Sequence, residues 1–170
     1  MGSGPISREG STTPKVSTCL WLDQDIEAAV GLYVSLVPDS RIDYVQRAPG
    51  PWPGGKAGDA LLVAFTLCGQ GFQALNGGGQ ADYGMAASIS VACADQEEVD
   101  RLWAALIADG GAEIMCGWLR DRWGVPWQIV PTILPRLLAD PDPAVARRVF
   151  SAMQDMIKLD IAALERAAAG

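Results

Sequence analysis

The first candidates for chemistry are polar side chains that interrupt otherwise apolar, strand-like segments. Gln128 lies within the segment Trp-Gln-Ile-Val at residues 127–130, and Ser88 and Ser90 lie within a second such segment at residues 88–94. A buried amide or hydroxyl needs hydrogen-bond partners. For Gln128 a ligand could supply them, and so could Ser88 or Ser90. The sequence therefore leaves two interpretations open: contact with a small molecule, or an internal hydrogen bond.

Cysteine is another residue type that acts as nucleophile or metal ligand, and the chain contains four cysteines but no histidine. They are Cys19, Cys68, Cys93 and Cys116; no two of them have CxxC spacing, and all lie within apolar segments. This pattern is typical of reduced, packed thiols, and it predicts a cytoplasmic protein. A redox pair or a soft-metal site is the alternative.

The overall composition argues against several classes of partner. The 170 residues carry a formal net charge of -7, so we expect no nucleic-acid partner, because phosphates require a basic surface. Hydrophobic residues make up 49% of the chain, but charges and glycines interrupt them before any run could span a bilayer, and we expect no membrane partner. Residues 1–14, rich in Gly, Ser, Thr and Pro, predict a disordered or vector-derived lead.

The elements that would position these residues follow a repeated order. Residues 16–22 predict a strand, and apolar residues recur with helical spacing after Asp23. Residues 88–94 predict a second strand, and the helix after it begins with the capping-box spacing of Asp95 and Glu98. Aligning Asp23 with Asp95 gives an offset of 72 residues, which indicates an internal repeat.

Short extended segments follow each predicted helix, and Gly-rich or Pro-rich breaks separate them. These segments are residues 41–47, 61–67 and 71–75 in the first half and residues 113–119 and 126–130 in the second. The pattern predicts one domain over residues 15–131, built from two similar modules at residues 15–77 and 85–131. Each module consists of a strand, a helix and several further strands.

The chain becomes helical in pattern beyond Pro131. Asp142 has the properties of an N-cap, and Pro143 stands at the first helical position after it. We therefore predict a C-terminal helical extension over residues 132–170, which covers the sheet or an interface between copies.

Six short motifs, in this order, resemble the PhnB-like family, whose members are often labelled 3-demethylubiquinone-9 3-methyltransferase-like. The motifs are Cys19-Leu-Trp-Leu-Asp23, Leu32-Tyr-Val-Ser-Leu-Val-Pro-Asp-Ser-Arg41, Ala74-Leu-Asn-Gly77, Asp95-Gln-Glu-Glu-Val-Asp100, Cys116-Gly-Trp-Leu-Arg-Asp121 and Trp127-Gln-Ile-Val-Pro131. The family belongs to the vicinal oxygen chelate superfamily, which includes glyoxalases, bleomycin resistance proteins and dihydroxybiphenyl dioxygenases. The resemblance implies an α+β fold in which paired βαβββ modules form a curled sheet around a cavity, here with extra C-terminal helices.

Metal-using members of that superfamily bind a divalent ion, typically through two histidines and one glutamate. The corresponding positions here hold Val16, Ser88 and Gln128, and none of these side chains is an effective ligand for a transition metal. The resemblance therefore implies a protein without the usual metal ligands, and we expect no metal and no cofactor. A hard ion bound by Asp, Glu or Cys at other positions is the alternative.

The resemblance also implies which strand residues line the cavity, because alternate side chains point to opposite faces. With Val16 on the cavity side, Thr18, Leu20 and Leu22 would face the cavity, and Cys19 and Trp21 would pack against the helices. In the second module, Ser88, Ser90, Ala92 and Gln128 would line it; Asn76, Tyr83, Trp118 and Arg120 would border it. The predicted ligand-binding residues are Thr18, Ser88, Ser90, Gln128, Asn76, Trp118 and Arg120. For Trp118 a core position is the alternative, and for Arg120 a solvated strand end.

We expect a metal-free protein that binds a small, partly apolar molecule, as the antibiotic-sequestering members of the superfamily do. The alternative is a metal-dependent lyase, isomerase or dioxygenase with unusual ligands, for which Glu113 or Asp121 would be the general base. A third possibility is a dimerising or regulatory module with an empty pocket. A methyltransferase of the Rossmann type would need a Gly-rich strand-to-helix turn for S-adenosylmethionine, which this sequence lacks. Because superfamily modules often pair across chains, we also expect a homodimer.

Overall fold

A computed structural model describes residues 15–79 and 81–170 of the chain. The predicted lead at residues 1–14 lies outside the described residues. The chain divides into two compact units, residues 1–79 and 80–170. In the described residues, every helix is too short or too polar to span a lipid bilayer.

The first unit is a βαβββ module. Its elements are β1 (Thr18–Leu22), α1 (Ile26–Leu36), β2 (Arg41–Arg47), β3 (Ala60–Leu67) and β4 (Gln70–Asn76). The strands form one sheet in the order β1-β4-β3-β2, in which β1 runs parallel to β4 and the other pairs are antiparallel.

The second unit repeats that order and adds helices. Its module consists of β5 (Ile89–Cys93), α2 (Gln96–Ile107), β6 (Ala112–Glu113), β7 (Trp118–Arg120) and β8 (Pro126–Pro131). The sheet order is β5-β8-β7-β6, with β5 parallel to β8. Helices α3 (Ile133–Leu138), α4 (Pro143–Gln154) and α5 (Ile161–Ala169) follow. The predicted fold class, α+β with paired βαβββ modules and C-terminal helices, is confirmed.

One face of each module helix packs on its sheet, and the two faces carry the same spacing of buried residues. In α1 the buried residues are Ile26, Ala29, Val30 and Tyr33; in α2 they are Val99, Leu102, Trp103 and Leu106. Superposing these two sets requires an offset of 73 residues, whereas the alignment of the aspartates gave 72. Side chains alternate along a strand, so an error of one residue moves every strand side chain to the opposite face.

That one-residue difference reverses the predicted orientation of β1. Leu20 and Leu22 are buried, whereas Trp21 is 45% exposed. Thr18 pairs in register with Phe72, whose ring stacks on Phe65 at 5.4 Å between centroids. Phe65 in turn contacts Tyr33 of α1, with 6.3 Å between ring centroids. Thr18 therefore lies on the helix side of the sheet with Leu20 and Leu22, and the prediction that these residues face a cavity is wrong.

The cysteines differ from one another in exposure. Cys93 is buried, and burial is the main cause that raises the pKa of its thiol to about 12. Such a thiol stays protonated at neutral pH, as predicted for a packed, unreactive cysteine. The same prediction is wrong for Cys19 and Cys68, which are exposed; Cys116 is half-buried, and all four are free thiols. Cys19 is exposed because it shares the outward face of β1 with Trp21.

The C-terminal helices enclose a small apolar core of their own and are attached to the second module. That core contains Leu134, Val149, Leu159 and Leu164. Asp142 caps α4 as predicted, because its carboxylate accepts from the backbone N–H of Ala144 at 2.8 Å. Between α4 and α5 the chain runs beside the start of β7, where the N–H groups of Cys116 and Gly117 donate to the carbonyls of Met156 and Ile157.

Candidate functional site

The second sheet has one face covered by α2 and one face pointing away from it. The indole Nε1 of Trp103 in α2 donates to Glu113 at 2.7 Å, and Glu113 pairs in register with Leu119, which pairs with Trp127. These residues mark the helix side, where Leu119, Trp127 and Ile129 are fully buried. The alternate residues form what we call the open face: Ser88, Ser90, Ala92, Trp118, Arg120 and Gln128. Val130 points to the same side but packs against the C-terminal helices.

A polar row crosses the middle of the open face. Gln128 of β8 pairs in register with Ser90 of β5 on one side and with Trp118 of β7 on the other. The Gln128 Nε2 group donates to the Ser88 hydroxyl at 2.8 Å, so Ser88 is the internal partner that the sequence left open. Within residues 15–79 and 81–170, no group donates to Gln128 Oε1. The row thus presents one fixed amide oxygen beside an exposed hydroxyl at Ser90 and a half-buried indole.

Arg120 lies at the end of this row, where β7 pairs with Pro126 of β8. Its Nη2 group donates to the carbonyl of Gly84 at 3.2 Å, which ties the strand to the segment before β5. Its Nε atom is buried without a hydrogen-bond partner in the described residues. The guanidinium is therefore a partly buried group whose Nε donor is unused, rather than the solvated strand end that was the alternative.

The two residues suggested as a general base have structural roles. Asp121 is buried, and its carboxylate accepts from the backbone N–H groups of Trp123 and Val125 and from the indole N–H of Trp127, at 2.9 to 3.0 Å. These bonds close the turn between β7 and β8. Glu113 lies on the helix side, where it accepts from Trp103. Neither carboxylate is on the open face.

The family model for 3-demethylubiquinone-9 3-methyltransferase matches residues 14–130, which is more than half of the chain. The chain belongs to this family.

A solved structure agrees with that assignment to the family. The PhnB protein from Bacillus cereus is 31% identical, with a TM-score of 0.62 over 70% of this chain and 100% of that one. A protein from Pseudomonas aeruginosa is 19% identical, with a TM-score of 0.55 over 68% of this chain and 96% of that one, and shows the fold alone. A glyoxalase/bleomycin resistance protein from Albidiferax ferrireducens is 20% identical, with a TM-score of 0.42 over 65% and 92% of the two chains. No curated protein matches the chain.

Membership of the 3-demethylubiquinone-9 3-methyltransferase family makes this a small-molecule-binding type of protein. The family's name refers to a methyltransferase, but the described residues form two mixed sheets rather than one doubly wound parallel sheet. The name therefore does not by itself assign an activity to this chain.

The donor set does not fit the divalent metal implied by the family resemblance. Val16 is 83% exposed and has no ligating atom, while the amide and hydroxyl of Gln128 and Ser88 are bonded to each other. In the described parts of the chain, no group of three or more His, Cys, Asp or Glu could hold a metal ion. We therefore derive no chemistry through a metal.

Thr18 and Asn76, the predicted ligand residues of the first module, lie on the helix side of their sheet. Asn76 pairs in register with Leu22, is 8% exposed, and lines a cleft beside the start of α1. Thr18 was predicted to face the cavity side of its sheet, as Ser90 does in the second module. That prediction is wrong because the two helices align with an offset of 73 residues rather than 72. The outward face of the first sheet carries Trp21 and Tyr44 instead, both substantially exposed, which the sequence interpretation missed. An alignment of the repeat on the buried residues of the two helices would have placed Trp21 on the outward face.

Proposed function

We propose that this chain binds a small, partly apolar molecule on the open face of the second sheet and that no metal takes part. The observation that supports this most is the Gln128–Ser88 hydrogen bond at 2.8 Å. It holds the Gln128 amide so that Oε1 is directed away from its internal partner and is left as an acceptor. A few fixed polar groups beside apolar side chains are what orient a ligand in most small-molecule sites.

The residues around Gln128 suit a ligand with a hydroxyl or N–H donor on an aromatic or aliphatic body. The donor would bind Gln128 Oε1, and Ser90 would supply a second hydrogen bond beside it. The indole of Trp118 and the side chain of Ala92 offer apolar contact on either side. Arg120 Nε adds a donor for an acceptor group at the far end.

Binding without chemistry is the form of this proposal that requires the fewest additional groups. A general base must lie within hydrogen-bond reach of the proton that it removes. Asp121 already accepts three hydrogen bonds, and Glu113 faces the opposite side of the sheet. Sequestration, as in the antibiotic-binding members of the superfamily, needs only affinity.

Phenol and anisole test the proposal because both carry the aromatic ring, but only phenol has a donor. In titrations followed by two-dimensional amide NMR, we expect phenol to shift the Gln128 side-chain NH2 and the Trp118 indole signals. Anisole at the same concentration should shift them several-fold less. Gln128→Ala should abolish the difference between the two probes, whereas Gln154→Ala on the exposed end of α4 should retain it. Equal responses to phenol in both variants would reject the site, and stoichiometric metal in the purified protein would reject the metal-free form.

A further inference from the structure

A cleft of about 650 Å³ opens beside the N-terminus of α1, on the helix side of the first sheet. Its walls come from the first turn of α1, the end of β2, the glycine-containing loop before β3 and the end of β4. The volume is within the range of small-molecule sites. The cleft lies entirely in the first unit, so it is separate from the open face described above.

The first turn of α1 presents unpaired donors to this cleft. Asp25 precedes the helix with φ 46° and ψ 28°, a left-handed conformation, and its side chain makes no capping hydrogen bond. In the described residues, no group accepts from the backbone N–H groups of Ile26, Glu27 or Ala28. Side chains normally satisfy some of these donors, and their positive end favours an acceptor group on a ligand.

Asn76 supplies an unpaired acceptor in the wall of the same cleft. Its side chain is more than nine-tenths buried, and Oδ1 has no hydrogen-bond partner in the described parts of the chain. Leaving a buried amide oxygen unpaired costs on the order of 1–3 kcal/mol, so such a group usually has a partner. The register of β4 against β1 places Asn76 beside Leu22. Leu22 is the last residue of β1, and the chain enters α1 shortly after it.

The charges around the cleft decide which class of ligand fits. Its ionisable side chains are three carboxylates, Asp25, Glu27 and Asp59, and one guanidinium, Arg47. Arg47 makes a two-pronged ion pair with Glu27, at 2.7 and 2.8 Å, so it is engaged rather than available. An anion would be repelled by the remaining carboxylates, and a cation would leave the helix donors unpaired. A neutral group with an acceptor and a donor satisfies both requirements.

We propose that this cleft binds a primary carboxamide. The carbonyl oxygen of the ligand accepts from the N-terminal amides of α1, and its NH2 group donates to Asn76 Oδ1. The neutral amide avoids the repulsion that an acid of the same shape meets from Asp25 and Asp59. This inference does not depend on the open face of the second sheet, and either proposal holds if the other fails.

Three probes that share one ring test the chemistry on the full chain: benzamide, benzoate and benzylammonium. In titrations of isotope-labelled protein, we expect benzamide to give saturable shifts of the backbone amides of residues 26–28 and of the Asn76 NH2 group. Benzoate and benzylammonium should bind there at least tenfold more weakly. Absence of benzamide shifts at these signals, or benzoate binding as tightly as benzamide, would overturn the proposal without any variant.

Asn76→Leu then separates a binding role from a structural one. Replacing an unpaired buried amide by an apolar side chain of similar size should leave the melting temperature unchanged or raise it. The same change should weaken benzamide at least tenfold. Gln73→Leu is the matched control, because Gln73 is an amide on the same strand but on the opposite face. Benzamide binding that survives Asn76→Leu, or is lost equally in Gln73→Leu, would contradict the assignment.

Discussion

The two modules share a topology but differ at the N-terminal ends of their helices. At the start of α2, Asp95 accepts from the N–H of Glu98 at 2.9 Å, and the Glu98 carboxylate accepts from the N–H of Ala94 at 2.8 Å. At the start of α1, Asp25 makes no such bond. In the described residues, a side chain accepts from one of the first helix N–H groups of α2, that of Glu98, and from none of those of α1.

The start of α2 differs from that of α1 in a second way, because it also binds the C-terminal extension. Gln96 donates to the carbonyl of Leu159 at 3.2 Å and accepts from the N–H of Ile161 at 2.8 Å, so its amide holds the extended segment that leads into α5. Lys158 adds an ion pair with Asp100 at 2.6 Å. The match to the family ends at residue 130, before this extension. Polar groups at the start of α2 thus hold the C-terminal extension, while the donors at the start of α1 face a cleft.

The largest loss of stability should come from a side chain placed between the C-terminal extension and the second module. Gly117 and Gly69 have nearly the same left-handed backbone, with φ 81° and 84°. A Cβ at Gly117 would lie 2.8 Å from Leu159 Cδ1, whereas a Cβ at Gly69 would meet nothing within 4 Å. We expect Gly69→Ala to lower the free energy of unfolding by about 1 kcal/mol, from backbone strain alone.

Gly117→Ala should cost about 3 kcal/mol, because overpacking adds to the same strain. Urea denaturation of both variants measures the difference. If the two substitutions cost the same, the extension is not tightly packed against Gly117, and the contrast between the modules loses its main support.

A smaller change in stability should distinguish the N-cap of α2 from that of α1. Asp95→Ala removes a capping hydrogen bond and should destabilise the protein by about 1 kcal/mol. Asp25→Gly removes no capping bond and relieves a left-handed residue, so it should leave stability unchanged or raise it by about 0.5 kcal/mol. Thermal unfolding of the two variants beside the parent gives both values. Destabilisation by Asp25→Gly comparable with that of Asp95→Ala would show that α1 is capped after all.

Much of the fold could be predicted from the sequence because its signals are local. The strand-to-helix junctions, the cap at Asp142 and the turn closed by Asp121 depend on neighbouring residues, and all of them occur in the structure. The predicted orientation of β1, by contrast, depends on how the two distant repeats are aligned with each other. Two aspartates, Asp23 and Asp95, aligned the repeat one residue away from the value that the buried helix faces require. The buried faces were the more reliable guide, since burial sets which side of a strand meets the core.

The residues of the candidate site could be predicted only where the alignment of the two repeats did not affect the result. Ser88, Ser90 and Gln128 were placed within the second module alone, and they lie on one face with Trp118 and Arg120. Thr18 was placed by the family resemblance, with Val16 on the cavity side, and Asn76 as a residue bordering the cavity; both lie on the helix side of the first sheet. The partners of Asp121 and Glu113 also escaped prediction, because both accept from indole N–H groups whose positions depend on tertiary packing.

The smallest predicted effect concerns the ion pair that attaches the extension. Hydrogen bonds from Lys158 and then Gln96 lower the pKa of Asp100 below its ordinary value. A lowered carboxyl pKa means that the folded state favours the charged form, so the contribution to stability is present above about pH 4 and is lost as the pH falls through the folded pKa. Both side chains are largely exposed, so solvent screening limits the contribution to less than about 0.5 kcal/mol.

Urea midpoints of the parent and of Asp100→Asn between pH 2 and pH 7 test this contribution. The two curves should converge as the pH falls through the folded pKa, below which the carboxyl is protonated in both states, and should separate above about pH 4. Asp155→Asn, at an exposed position just before the extended segment, should follow the parent throughout. A constant separation between parent and Asp100→Asn at every pH would assign the effect to packing or amide hydrogen bonding. In that case the Gln96 amide, rather than the Lys158 charge, would be what holds the extension at α2.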